Sequence, residues 1–377
     1  MLPRLFLSSP HMGGGEYALI GEVFESNWIA PAGPMLTLFE QRLSELTGIA
    51  HVVALSSGSA ALHLALRLSD VGAGDEVWCA TMTFIGGAAP IIYSGAAPVF
   101  VDIEKAGLMI DLDLLEQALE ERARLGRVPK VVITTDLYGH VPDLRRIADL
   151  RARFGFTWVS DSAEAVGAYR DGIHAGKGAD FAIYSFNGNK IITTSGGGAL
   201  ASDDPAMIEK ARFLSTQARE PTPHYEHKTY GYNYRLSNVC AAIGVGQLSV
   251  LEQRVQARRR IHDSYRHLLS HIPGIAFSPE PVGLRANRWL TTLLIDPERA
   301  GFDREQARIA LEAVNIESRP LWKPMHMQPV FSGAAKFGGN VAEQAFDTGL
   351  CLPSGSQMTD ADTARVAEVL VGLRPPK

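Results

Sequence analysis

Only three cysteines occur in 377 residues, at positions 79, 240 and 351, and no two of them form a CxxC pair. That spacing excludes a disulfide framework and a cysteine metal centre, and predicts reduced thiols buried in a cytoplasmic protein. The histidines lack HExxH-type spacing, so no metal site is assigned. No run of about 18 apolar residues is present, which removes a membrane-spanning helix from consideration. Neither sign of charge dominates. A net charge of -5 and a pI near 6.1 give no general basis for binding nucleic acid. Internal repeats and low-complexity tracts are missing apart from short glycine clusters. The N-terminal "MLPRLFLSSPHMGGG" holds an apolar patch, but it breaks at Pro10 and the glycines, too early for a secretory signal.

What is there is an ordinary globular composition, 46% hydrophobic and 20% charged, in a length that suits one large or two medium domains. Over the first 250 residues, short apolar runs alternate with helical patterns. "HVVALS" (51–56), "PVFVDI" (98–103), "KVVITTD" (130–136), "TWVSD" (157–161) and "DFAIYSF" (180–186) read as strands rich in β-branched residues. Between them lie helical stretches: "GSAALHLALRL", and amphipathic segments after residues 111 and 143 that end at glycine. Unbroken apolar strands between helices predict an α/β fold with a mostly parallel sheet covered on both faces. From about residue 250 the texture changes. One long helix is expected over "LSVLEQRVQARRRIHDSYRHLLSHI", its Arg254, Arg258, Arg259 and Arg260 on a solvated face. A strand at "RWLTTLLIDP", a helix at "DREQARIALEAVNI" and a closing helix with Thr359 as N-cap follow. The expected division is a large domain over 1–250, with an N-terminal arm, and a small α+β domain over 251–377.

Ligands of open α/β sheets bind beyond the carboxyl ends of the strands. After strand 51–56 comes "SSGSAAL", where Gly58 allows a tight turn and Ser59 and Ala60 open a helix. That is either a plain strand-to-helix turn or a phosphate cradle built on free helix N–H groups. Asp161 ends the strand 157–161, as a helix cap or as a functional carboxylate. After strand 180–186 stands Lys190, in "NGNKII", with apolar neighbours that a surface lysine would not need. Together, a phosphate cradle, an aspartate and a half-buried lysine after three strands of one sheet fit pyridoxal phosphate (PLP). The lysine amine would form a Schiff base with the aldehyde. The aspartate would keep the pyridine nitrogen protonated, and the small residues of "TTSGGGAL" would leave space for a flat cofactor.

The ordered set "SSGSAAL", "TMTFIGGAAPI", "DLYGHVPDL", "SDSAEAVGA", "SFNGNKIITTSGGGAL" and "GYNYRLSNVCAAIG" resembles the nucleotide-sugar aminotransferases (DegT/StrS-type) of the fold-type-I PLP enzymes. The resemblance runs from "LSSPHMGGGEYALIGEVFESNWIAPAGP" to "CLPSGSQMTD", almost the whole chain. It implies an aspartate-aminotransferase-like fold and assigns roles. Lys190 would be the Schiff-base lysine and proton shuttle. Asp161 would hold the pyridine nitrogen. Ser59, Ala60 and Ser185 would bind the phosphate, and Phe84 would stack on the ring. Asn233 would reach the phosphate of another subunit, which implies a homodimer with shared active sites. Glu164 stands near the ring hydroxyl, where many relatives carry glutamine or histidine.

The resemblance further implies transfer of an amino group from L-glutamate to a keto-sugar. "NWIAPAGP" and "ESRPLWKPMHMQPVF" are similar to the branch acting on 4-keto-6-deoxy nucleotide sugars, and "SFNGNKIITTSGGG" to its members using UDP-4-keto-6-deoxy-GlcNAc, on the way to bacillosamine-type sugars. Trp28, Arg235, Arg319 and His326 are the candidates to meet sugar or diphosphate; arginine suits a diphosphate through paired N–H bonds. A GDP-linked 4-keto sugar leading to perosamine is the rival substrate. Two other readings are a deoxygenating branch, which carries histidine in place of the lysine, and a regulatory protein that retains the fold without catalysis.

Overall fold

The computed structural model describes residues 3–374. Its first five strands are β1 (His51–Leu55), β2 (Glu76–Ala80), β3 (Ala97–Val101), β4 (Val131–Thr135) and β5 (Thr157–Asp161). Two short strands, β6 (Tyr169–Arg170) and β7 (Ile173–His174), precede β8 (Phe181–Ser185) and β9 (Gly198–Ser202). The later part adds β10 (Ile275–Phe277), β11 (Leu284–Arg285), β12 (Thr291–Ile295), β13 (Arg319–Pro320), β14 (Ala335–Phe337) and β15 (Gly349–Leu352).

Eight strands form the large sheet, in the order β1-β9-β8-β5-β4-β2-β3-β14. Neighbours from β8 to β14 run parallel, whereas β9 is antiparallel to both β1 and β8. The expected mostly parallel sheet, with helices packed against it, is thus present. The strand β2 has no period-2 alternation and sits wholly inside the sheet, where Trp78 is fully buried; only pairing with β3 and β4 identifies it.

The helices start and stop as their caps dictate. Asp111 and Asp143 accept N–H bonds at the starts of Leu112–Arg124 and Leu144–Phe154, and Gly155, at φ 77°, ends the second. Thr359 caps Asp360–Gly372 through a reciprocal box with Asp362.

The long helix expected over residues 248–272 is present as Leu251–Leu269, parted from the preceding helix Asn238–Ser249 at Val250, whose ψ of 5° breaks the run. Its arginines differ from expectation. Arg254 and Arg258 are buried rather than solvated. The guanidinium of Arg254 donates to Met12 O at 2.9 Å, and that of Arg258 to Ser8 Oγ at 2.9 Å and to Trp289 O. Apolar composition alone could not foresee this, because the partners lie some 30 to 250 residues away.

A second, four-stranded antiparallel sheet, β10-β12-β15-β13, packs with Leu251–Leu269, Arg304–Ala313 and Asp360–Gly372 around Leu293, Leu311 and Leu370. Two further pairings tie distant parts of the chain together. Leu5 bridges to Ile316, and β14 joins the edge of the large sheet beside β3.

Candidate active site

Register places the site. Thr135 of β4 pairs with Asp161 of β5, Asp161 with Ile183 of β8, Ser185 of β8 with Gly198 of β9, and Gly198 with Leu55 of β1. The carboxyl ends of β1, β4, β5 and β8 therefore lie in one row, and a cleft of about 200 Å³, open at its mouth, stands above them. Ser59, Phe84, Asp161, Glu164, Ser185 and Lys190 all line it.

Each is held locally. Lys190 follows a turn closed by its own N–H to Asn187 O at 3.0 Å. The carbonyl of Asn189 accepts from Ser8 Oγ at 2.7 Å and from Trp289 Nε1 at 2.8 Å. Ile191 and Ile192 then dive into the core, so the lysine is the one residue of the turn anchored on both sides. Its Nζ lies 3.5 Å from Glu164 Oε1 and 4.2 Å from the centre of the Trp289 ring. The other carboxylate oxygen of Glu164 accepts the Tyr138 N–H at 2.7 Å.

Asp161 lies deep in the cleft, 6% exposed. Burial pushes its carboxyl up to about 6; the Ala163 N–H and the Lys190 charge hold it back, and Glu164 adds to the rise. A protonated pyridine nitrogen is the cation this carboxylate lacks.

The glycines of "FIGGAAP" explain why the floor stays open. A Cβ on Gly87 would stand 2.7 Å from Asp161 Oδ2 and 2.5 Å from Thr83 Oγ1; one on Gly86 would stand 2.7 Å from Ser59 Oγ. Thr83 Oγ1 is also buried without a partner, a free hydroxyl facing the same space. At the other end, the helix Gly58–Leu68 offers its N-terminus to an anion. The residues present therefore fit PLP, with an acid for the ring, an amine for the aldehyde and a helix start with hydroxyls for the phosphate.

Some expectations are placed differently. Ala60 is buried and its N–H already donates to Ser57 Oγ at 3.0 Å, so Ser57 is the cap and Gly58 and Ser59 face the cleft. Of the glycine cluster, Gly196 and Gly197 line the cleft. Gly198 does not: a Cβ there would lie 2.4 Å from Gly58 N, so its smallness admits the β1 turn, not the cofactor. Arg235 is not at the cleft. Its guanidinium is buried against Glu40 Oε1 at 2.5 Å and Ala54 O at 2.8 Å. His326 is likewise away from it, held between Thr81 Oγ1 at 2.6 Å and Glu343 Oε1 at 3.0 Å, beside Lys336. Trp28 and Asn233 are exposed and lie outside the lining of this chain's cleft.

Arg319 lies on a neighbouring pocket with Lys323, Phe6 and Phe346; that pocket shares Asn189, Trp289 and Trp322 with the cleft. Sequence reasoning missed Thr83, Thr135, Trp289 and Trp322 as lining residues. Thr135 had a signal, the end of a recognised strand in register with Asp161. The two tryptophans had none, because they arrive from beyond residue 250.

The model of the DegT/DnrJ/EryC1/StrS aminotransferase family matches residues 10–371. A Bacillus subtilis (strain 168) relative named "Putative pyridoxal phosphate-dependent aminotransferase EpsN" is 48% identical over 99% of this chain and 96% of its own. A GDP-perosamine synthase of Caulobacter vibrioides is 34% identical over 98% of both chains. The crystal structure of the aminotransferase TlmJ from Streptoalloteichus hindustanus is similar with a TM-score of 0.89 and 30% identity, over 97% of this chain and 98% of that one. With the lysine, the buried aspartate and the helix start gathered in one cleft, the chain belongs to the DegT/DnrJ/EryC1/StrS aminotransferase family and is a PLP-dependent transaminase.

Proposed function

We propose that the enzyme moves an amino group from L-glutamate to a 4-keto-6-deoxy nucleotide sugar, with UDP-4-keto-6-deoxy-GlcNAc the preferred acceptor. The observation that carries this reading is a second pocket beside the cleft. It shares Asn189, Trp289 and Trp322 with the lining of the cleft around Lys190 and bears Lys323 and Arg319, the latter paired with Glu317 at 2.9 Å. A keto-sugar in the cleft would leave its diphosphate and base in that pocket, where arginine and lysine are natural partners.

PLP, when bound, supplies the electron sink that lets a proton leave the donor α-carbon. The protein's own residues do the rest. In each half-reaction Lys190 Nζ takes a proton from one carbon as base and returns it to another as acid, the second half reversing the sense of the first. Glu164, 3.5 Å away, is the lysine's only ion-pair partner among the described residues. Asp161 would face the ring nitrogen; Ser59, Ser185 and the start of helix Gly58–Leu68 would hold the phosphate; Phe84, half-exposed at the mouth, would cover the ring. Asn233 and Trp28 serve the site of a second copy in a homodimer, consistent with their exposure outside this chain's cleft.

The test is an amino-transfer assay with glutamate against UDP-, GDP- and dTDP-linked 3-keto and 4-keto sugars. Saturation at the lowest concentration by UDP-4-keto-6-deoxy-GlcNAc is expected. Preference for the GDP-linked sugar would move the assignment toward the 34%-identical GDP-perosamine synthase, and preference for a 3-keto sugar would overturn the branch.

A further inference from the structure

The sequence "DLYG" contributes a residue that no role above uses. Tyr138 is buried, yet its backbone is left-handed at φ 53°, a conformation that a bulky side chain holds only when its surroundings impose it. Three separate contacts do so. Its N–H donates to Glu164 Oε2 at 2.7 Å. Its hydroxyl accepts the Trp322 N–H at 2.9 Å. Its ring lies nearly parallel to two others, 6.4 Å from Trp289 at 20° and 6.0 Å from Trp322 at 22°.

Those three partners are the walls around the lysine. Glu164 is the carboxylate beside Lys190 Nζ, and Trp289 is the ring over which that amine sits. Trp322 extends the aromatic row to Phe84, 5.6 Å away at the mouth. Glu164 and Tyr138 come from the large sheet's loops, whereas both tryptophans come from beyond residue 250. One residue, through its backbone N–H on one side and its side chain on the other, therefore ties the two halves of the cleft together without lining it.

We propose that Tyr138 is a positioning residue for transamination. Its backbone fixes the carboxylate next to Lys190, and its ring and hydroxyl fix the tryptophan wall, so the cleft is set to its working width before substrate enters. The proposal rests on the transaminase chemistry and not on which sugar is aminated.

Tyr138→Phe tests the hydroxyl arm, since it keeps ring, backbone and fold while removing the acceptor for the Trp322 N–H. In PLP-loaded enzyme, the glutamate concentration giving half-maximal loss of cofactor absorbance should rise about fivefold, the effect of one hydrogen bond. The limiting rate should stay within about twofold, because Lys190 and Glu164 are untouched. A second readout needs no turnover. In a Trp28→Phe background, Trp78, Trp158 and Trp289 are fully buried, so acrylamide quenching of the cofactor-free protein reports chiefly Trp322, which is half-buried. Quenching should increase about twofold in the Tyr138→Phe variant as the wall loosens. Unchanged half-saturation with unchanged quenching would overturn the proposal. So would a limiting rate that falls in step with binding, the mark of general damage. If glutamate fails to bleach the wild-type protein, the donor assignment fails, and the quenching comparison alone decides the role of Tyr138.

Discussion

Replacing Asp161 by asparagine should stabilise the cofactor-free protein at pH 8 while crippling the loaded one. The folded carboxyl keeps its proton up to about pH 6, against an ordinary value of 3.8, chiefly because it is buried. Between those values the folded state binds more protons than the unfolded state, so stability falls as pH rises, and the loss is complete above about 6. A gap of about two pH units is worth about 3 kcal/mol. The asparagine amide must still find hydrogen-bond partners in the same buried place, which returns about 1–2 kcal/mol. The net gain expected in Asp161→Asn is therefore about 1–2 kcal/mol at pH 8, shrinking to nothing or reversing near pH 4. Urea denaturation of both cofactor-free proteins at pH 4.5, 6 and 8 measures it; titrations shared by the two proteins cancel in the difference. With PLP bound the order should invert, since the carboxylate then has its cation and the variant loses at least about tenfold in cofactor affinity. A variant that is less stable than wild type at pH 8, or whose difference does not change with pH, would refute the claim that Asp161 is held charged at a cost that the cofactor relieves.

Lys190→Ala should abolish turnover and the absorbance of covalently held PLP; multiple turnover in that variant would sink the assignment. Gly87→Ala places a methyl group 2.5 Å from Thr83 Oγ1 and 2.7 Å from Asp161 Oδ2; chemical denaturation of the cofactor-free protein should show a loss of about 1–3 kcal/mol, and equilibrium dialysis PLP affinity reduced by about tenfold or more. Arg235→Ala removes one of two arginine partners of the half-buried Glu40, which keeps Arg212, and chemical denaturation should register a loss of about 2 kcal/mol. His326→Ala should cost stability through the Thr81 and Glu343 contacts yet leave the acceptor KM unchanged; a large rise in KM would return that histidine to the substrate site.

The strands that carry the chemistry were legible because each is a continuous β-branched run that ends at a polar residue, and ligands gather at such ends. This applies to "TWVSD" with Asp161 and to "AIYSF" with the lysine turn. Their order in the sheet was not legible. The antiparallel insertion of β9 between β1 and β8 depends on Gly198 admitting the Ser57–Gly58 turn, a contact between residues some 140 positions apart. The Arg254 and Arg258 face looked solvated because period and charge say nothing of a distant N-terminal arm that covers it.

The sequence by itself determined the α/β class and the family motifs, and it singled out Lys190 and Asp161 as the candidate amine and acid, since these rest on local runs and on residue types that few other chemistries require. Tertiary structure alone decided which residues share the cleft. It withdrew Arg235 and His326 into buried ion pairs and hydrogen bonds, and it brought Trp289 and Trp322 across to face Lys190 through Tyr138. The physical reason is that burial and charge pairing act between surfaces far apart in the chain, and no local pattern records which surfaces will meet.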